Sequence, residues 1–171
     1  MASSLQFIKS ASGTSVGSLS VTDCFSSQYD VYTVTVTTDK CASSGNWAFL
    51  RFIDSGGSVI SDNEYQYASL SMFSYTGFGE EKDTSQSEIS RIQFVKNTSF
   101  GGNTLLNIFN PNDSSSFTFT QHQSSSSASS PAQNFGSKVI GVHKVAEQIT
   151  GLNIGLSETM LNIKIAVYGV K

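Results

Sequence analysis

The stretch Leu161-Asn-Ile-Lys-Ile-Ala-Val-Tyr-Gly-Val-Lys171 alternates in register to the end of the sequence. Successive side chains of an extended chain point to opposite sides, so Leu161, Ile163, Ile165 and Val167 share one face while Asn162, Lys164, Ala166 and Tyr168 share the other. One face is apolar and suits a core. An end segment of this kind is held only when a sheet ties it down. The pattern therefore predicts an interior strand whose neighbours come from earlier in the chain.

Working outward from it, Lys138 to Val142 and Ile149 to Leu156 join Leu161 to Tyr168 as closing strands, with Val145-Ala-Glu-Gln148 a bend or one helical turn between the first two. In the first half, Tyr29-Asp-Val-Tyr-Thr-Val-Thr-Val-Thr-Thr38 is the clearest strand, its Tyr32, Val34 and Val36 on one face and Val31, Thr33 and Thr35 on the other. Leu19 to Phe25, after a polar opening, reads as a short strand. Trp47 to Ile53 and Val59-Ile60 flank Asp54-Ser-Gly-Gly-Ser58, where Gly56 and Gly57 permit the positive φ of a hairpin turn. Tyr65 to Phe73 is extended with Tyr65, Tyr67, Ser69, Ser71 and Phe73 on one face. Ile89 to Lys96 fits neither the strand nor the helix period. Asn103 to Asn110 and Ser116 to Gln123 are strands expected to pair across the turn Asn110-Pro-Asn-Asp113.

Two stretches lack apolar period and are expected to be mobile loops: the charged segment 75–88 and the serine-rich segment 124–134. About nine or ten short strands with turn signals between them and no convincing helix predict an all-β fold, a single antiparallel β-sandwich of jelly-roll type over residues 1–171. The length suits one domain.

Composition narrows the function. Only 13% of residues are charged, against an average of roughly 25%, so the surface is solvated by Ser, Thr, Asn and Gln. A net charge of −3 and a pI near 5.2 argue against a nucleic-acid footprint, which needs a basic face. No run reaches the ~18 apolar residues of a membrane span. Met1-Ala-Ser-Ser-Leu-Gln-Phe-Ile-Lys9 has no charged leader followed by a long apolar segment, so synthesis in a cytoplasm without secretory export is expected. In that compartment Cys24 and Cys41 are expected to be reduced and structural, and without nearby Cys or His partners they make a poor zinc site.

No catalytic signature is present. The only histidines, His122 and His143, end apolar or Thr-rich strands and are expected to be structural. No Gly-x-Ser-x-Gly elbow presents a nucleophile. Glu80, Glu81, Asp83 and Glu88 could supply a carboxylate pair for glycoside hydrolysis if held across a cleft, but their glycine-flanked setting reads as a solvated surface. Gly77-Phe-Gly79 and Gly101-Gly102 are turn glycines, since no Gly-Lys-Ser/Thr follows. Asn97-Thr-Ser99 and Asn112-Asp-Ser114 match a glycosylation pattern that matters only in a secretory pathway. No metal or other cofactor is expected. Tyr65, Tyr67 and Tyr75 are candidate glycan contacts, because a tyrosine ring offers a flat apolar face and a polar handle; Trp47 is expected in the core.

Ser4-Leu-Gln-Phe-Ile-Lys-Ser10, Leu50-Arg-Phe-Ile-Asp-Ser-Gly-Gly-Ser-Val-Ile60 with Tyr65-Gln-Tyr67 after it, and the ending Ile149-Thr-Gly-Leu-Asn153 to Val167-Tyr-Gly-Val-Lys171 resemble a group of small virion structural proteins of marine tailed bacteriophages, over the whole length. The resemblance implies a non-enzymatic protein on the virion surface, a tail-fibre or tail-tip component or a head fibre or decoration, contributing to host attachment. It transfers no catalytic residue. A weakly charged β-domain can repeat around an axis and bury one face between copies, so the expected partners are further copies of the chain, with a trimer favoured, other virion proteins and host surface glycans. Neither nucleic acid nor membrane insertion is expected. The competing reading is a soluble, lectin-like carbohydrate-binding module, and a small glycan-cleaving enzyme comes third.

Replacing Ile163 or Ile165 by Asp is expected to prevent folding, because an unpaired buried charge costs several kcal/mol or more. Circular dichroism of both variants checks this; two folded, soluble variants would displace the closing strand from the core.

Overall fold

The computed structural model describes residues 4–43, 45–97, 99–129 and 132–171. Among them are ten strands: β1 (Leu5–Val21), β2 (Val31–Thr38), β3 (Asn46–Asp54), β4 (Tyr65–Phe73), β5 (Gly77–Gln86), β6 (Ile89–Val95), β7 (Ser99–Phe109), β8 (Thr118–Ser129), β9 (Ala132–His143) and β10 (Ile149–Val170). No helix occurs among the described residues. The pairings between strands are antiparallel and run in the order β5-β4-β9-β8-β7-β2-β10-β3-β6, with β1 on the remaining edge of β10.

β10 is the axis of the arrangement. The two closing strands expected at Ile149–Leu156 and Leu161–Tyr168 are one strand of 22 residues. Along one edge it pairs with β1 from Leu5↔Val170 to Val21↔Leu152. Along the other, its second half pairs with β2 and its first half with β3. Two neighbours end to end on a single edge require β10 to pass from one layer to the other. The passage occurs where the β1 register jumps between Val16↔Met160 and Ser18↔Gly155, so that Leu156 to Thr159 bulge from the ladder. Bulges are how strands turn the corner between sheets. The Ala42 amide donates to Thr159 O at 2.9 Å and the Leu161 amide to Lys40 O at 2.8 Å, tying the corner down.

The result is an all-β, jelly-roll-like sandwich that nearly closes on itself. A broad layer holds β5, β4, β9, β8, β7, β2 and the second half of β10; a narrow one holds the first half of β10, β3 and β6. β6 lies across β9, β8, β7 and β4. Between the layers, Val34, Val36, Leu50, Phe52, Ile89, Ile92, Leu106, Ile108, Leu152, Ile154, Ile163, Ile165 and Val167 are buried. At the open side an aromatic chain substitutes for backbone pairing. Trp47 meets Phe94 edge-on at 5.2 Å, Phe94 lies 4.6 Å from Phe135, and Phe135 meets Phe73 and Tyr75 edge-on. Trp47 is thus half-buried, not enclosed.

Three segments correct the sequence reading. The polar opening is strand β1, because hydrogen bonds to β10 hold it and its exposed outer face can be polar. The charged segment 75–88 is not a loop: β5 pairs with β4 from Tyr65↔Gln86 to Phe73↔Gly77, and an edge strand tolerates charges that a central one would not. The serine-rich segment 124–134 likewise extends β8 and β9 into a hairpin, pairing through Ser127↔Asn134 and Ser129↔Ala132; residues 130 and 131 fall outside the described set, as do 1–3, 44 and 98. Ile89 to Val95, ambiguous by period, is β6 with a bulge opposite Phe49 that breaks its alternation. Arg91 sits there at φ 66°, and the bulge turns its carbonyl to accept from Ser137 Oγ at 2.8 Å. β7 and β8 pair as expected, and Cys24 and Cys41 are free and buried.

Beneath β4, β9, β8 and β7 the interior turns polar. Ser69, Ser71, Thr104, Thr118, Thr120, His122, Ser137 and His143 point inward. Some are satisfied: Gln93 Nε2 donates to Thr38 Oγ1, Thr104 Oγ1 to Ile92 O at 3.1 Å, and the Ser124 and Ser137 hydroxyls share a bond at 2.6 Å. Among the described residues the Thr118 and Thr120 hydroxyls have no partner, and neither His122 nitrogen has one in good hydrogen-bond geometry. Burial pushes the His122 pKa down to about 3, against a weaker upward pull from the Arg91 carbonyl.

Two expectations follow from this interior. Because His122 is neutral in the fold but takes a proton in the unfolded chain below its ordinary value of 6.5, its contribution to stability is lost as pH falls from about 6.5 toward 3, at roughly 1.4 kcal/mol per unit. Urea titrations across that range should be flatter for His122→Leu than for the native chain, and equal slopes would contradict the burial. Removing the central ring of the aromatic chain, Phe135→Ala, should cost about 3–5 kcal/mol in the same assay.

A candidate interaction face

The outer surface of the broad layer has the composition expected of a core. Cross-strand register fixes its rows. One runs Leu70, Lys138, Gln123, Leu105 across β4, β9, β8 and β7, and the next runs Ala68, Ile140, Gln121, Asn107. A third holds Gln66, Val142, Phe119 and Phe109. Because period two places alternate residues on alternate faces, the inward turn of Thr118, Thr120 and His122 forces Phe119 outward, and the inward turn of Ser69 and Ser71 does the same to Leu70.

The exposures are large for such side chains: Ile140 61%, Leu105 51%, Phe119 46% and Leu70 37%. Single exposed apolar residues are ordinary, but a contiguous group rimmed by polar residues marks an interaction site. The first two rows floor an open groove of about 960 Å³. Glu80 and Lys82 on β5, opposite Leu70 and Ala68, make its rim. Phe78, opposite Met72, carries the apolar surface further along that rim. The groove offers aliphatic contact, three side-chain amides and charges of both signs, a set suited to holding a protein surface.

The candidate glycan contacts are not gathered there. Tyr65 and Tyr67 lie on the inward face of β4 and are buried, which corrects the reading of both as stacking platforms. The Tyr65 hydroxyl accepts from the Phe52 amide at 3.0 Å and donates to Ile60 O at 3.2 Å, and burial raises its pKa. The Tyr67 hydroxyl donates to Glu81 Oε1 at 2.8 Å. Tyr75 alone of the three is accessible, 50% exposed, with its ring leaning on Phe73 and Phe135 at the open side of the sandwich. A hydrophobic strand period says only that alternate residues share a face; which face turns inward is set by the pairing of β4 with β9 and β5.

The acidic residues are likewise dispersed. Glu81 pairs with Arg91, whose guanidinium also lies over the Trp47 ring at 4.8 Å. Glu88 pairs with Arg51 at 2.8 Å; burial raises its pKa, with Arg51 pulling it back. Asp83 accepts from the Ser85 and Thr84 amides and from Gln86, which lowers its pKa. Glu80 is the exposed one, on the groove rim. His122 sits below the groove floor, its ring inside the sandwich. Sequence reasoning missed the groove itself, although Phe117, just before β8, and Phe119 alternating with Thr118 and Thr120 carried a signal: the strand has two faces of similar burial potential.

No family model and no curated protein matches the chain. Among solved structures it is similar to the SPBc2 prophage-derived protein YomS, at 5% identity over 99% of this chain and 94% of that one, with a TM-score of 0.31. A structure described as Bacillus endospore appendages forming a novel family of disulfide-linked pili matches at 6% identity over 97% and 89%, TM-score 0.29. Congerin II bound to lactose and MES matches at 11% identity over 85% and 99%, TM-score 0.24. At these scores no family and no activity transfers to the chain.

Proposed function

We propose that the chain is a non-enzymatic structural protein of a tailed-phage virion, exposed on the particle as a tail-fibre, tail-tip, head-fibre or decoration component, and that it assembles with further copies of itself through the outer face of β4, β9, β8 and β7. The observation that carries this reading is the inversion of that layer: small polar and histidine side chains inside, Leu70, Leu105, Phe119 and Ile140 outside. A lone domain gains nothing from that arrangement, since burying the aliphatic set would stabilise it by roughly 25 cal/mol per Å² of apolar surface removed from water. A neighbouring copy supplies the missing cover. The rim carries Glu80 and Lys82 with Lys138 close by, so both signs are available to a face that meets its own kind around an axis. The resemblance to phage virion proteins adds the setting, and the low charge suits a particle component held by packing. Host attachment then falls to the surfaces left open, Tyr75 among them.

Sedimentation velocity tests the assembly. The native chain is expected as a closed oligomer, a trimer on this reading, and the double variant Ile140→Glu with Leu105→Glu as a folded monomer with an unchanged circular dichroism spectrum. A native monomer at tens of micromolar would remove the face as a self-contact. Immunogold labelling of purified particles tests the setting: label on tail or head supports a virion component, and particles without label exclude one.

A further inference from the structure

At the end of the β4–β9 ladder, the fold gathers Glu64, His143 and Glu147. Glu64 directly precedes β4, His143 is the last residue of β9, and Glu147 lies in the link from β9 to β10. Tyr65 and His143 are paired in the ladder, and the Lys144 amide donates to Glu64 O at 2.8 Å, so backbone hydrogen bonds fix the approach. The His143 ring is fully buried. It is walled by Tyr65 at 5.0 Å and by Phe52, edge-on at 6.1 Å, which aims Nε2 at the two carboxylates. Glu64 Oε2 is 3.1 Å and Glu147 Oε1 3.6 Å from Nε2, and the three ligand atoms lie within 4.8 Å of one another.

We infer that these three side chains bind a divalent transition-metal cation, zinc being the best fit. Ligand bonds of about 2.1 Å at tetrahedral angles place neighbouring ligand atoms roughly 3.4 Å apart, a value that the two separations from Nε2 bracket. An imidazole with two carboxylates suits zinc better than calcium or magnesium, which prefer oxygen alone. The charge also calls for a cation. Lys144, next to His143 in sequence, donates its Nζ to Thr84 O at 2.7 Å, and Arg51 pairs with Glu88. Both glutamates are about one-third exposed, which leaves the remaining coordination position to water. His143 Nδ1 has no partner among the described residues. A ligating histidine normally donates that proton to an acceptor, and lacking one weakens binding by about 10–100-fold, so micromolar affinity is expected. The ion would pin the β9 to β10 link against the start of β4.

Titration calorimetry of the full chain, treated with EDTA and dialysed, should find one zinc per chain. A hundredfold excess of zinc over Kd should raise Tm by about 5–10 °C. Glu64→Gln and Glu147→Gln, both at partly exposed positions, should keep the native circular dichroism spectrum and each lose tenfold or more in affinity, while Glu80→Gln binds as the native chain does. No zinc-dependent rise in Tm, or undiminished affinity in both glutamine variants, would overturn the site and leave a histidine hydrogen-bonded to Glu64 with Glu147 beside it.

Discussion

Everything in this fold hangs on the double pairing of β10. Its 22 residues bond to β1 along one edge and to β3 and then β2 along the other, so the same backbone belongs to both layers. Strands at the two ends of the chain sequence are thereby closed against each other, and the corner at Leu156 to Thr159 sets where one layer gives way to the next. The apolar face read from Ile163, Ile165 and Val167 continues into Leu152 and Ile154 on the other side of that corner, which is why a single core serves both layers. Glycine is required at several points of this strand, Gly151 among them, where a Cβ would come within 2.5 Å of the Val21 carbonyl oxygen. The tip of the Phe49 ring lies over Gly155, its cross-strand partner, and a Cβ there would come within 2.3 Å of it.

The layer that β10 anchors is packed in two ways. Near β2 and β10 it is an ordinary apolar core. Farther out, under β7, β8, β9 and β4, the interior is threaded by hydroxyl, amide and imidazole groups, with Ser137 tied to the carbonyl that the Arg91 bulge turns inward. Buried polar groups contribute little net stability and cost several kcal/mol when unpaired. The same strands hold their larger aliphatic side chains on the outside. The two facts are one, since a strand that turns its small polar residues inward must present the others to solvent, and they tie the fold to the proposed assembly.

The end of the sandwich shows a similar economy. The β4 to β9 ladder that positions the outer rows also delivers His143 to Glu64, residues separated by 79 positions in sequence. A fully buried imidazole held by Phe52 and Tyr65 cannot turn away from the two carboxylates. Tyr65, considered from sequence as a ligand for glycans, instead forms part of the wall that orients this group.

Alternation is a local property, so the sequence by itself determined the strands around Val31 to Thr38, Tyr65 to Phe73, Asn103 to Asn110 and Leu161 to Tyr168, the antiparallel sandwich they build and the pairing of β7 with β8. It could not show β5 or the Ser124 to Ser129 arm, where hydrogen bonds to a neighbour, not side-chain burial, hold the strand. Nor could it choose the inward face of β4 and β8, because Tyr65 and Phe117, Thr118 and Phe119 are good strand residues on either side of a sheet. Only the tertiary structure decided that, through the register with β9 and β7. The gathering of Glu64, His143 and Glu147 also belonged to it, since three ligands from separate segments share no spacing that a linear reading can detect.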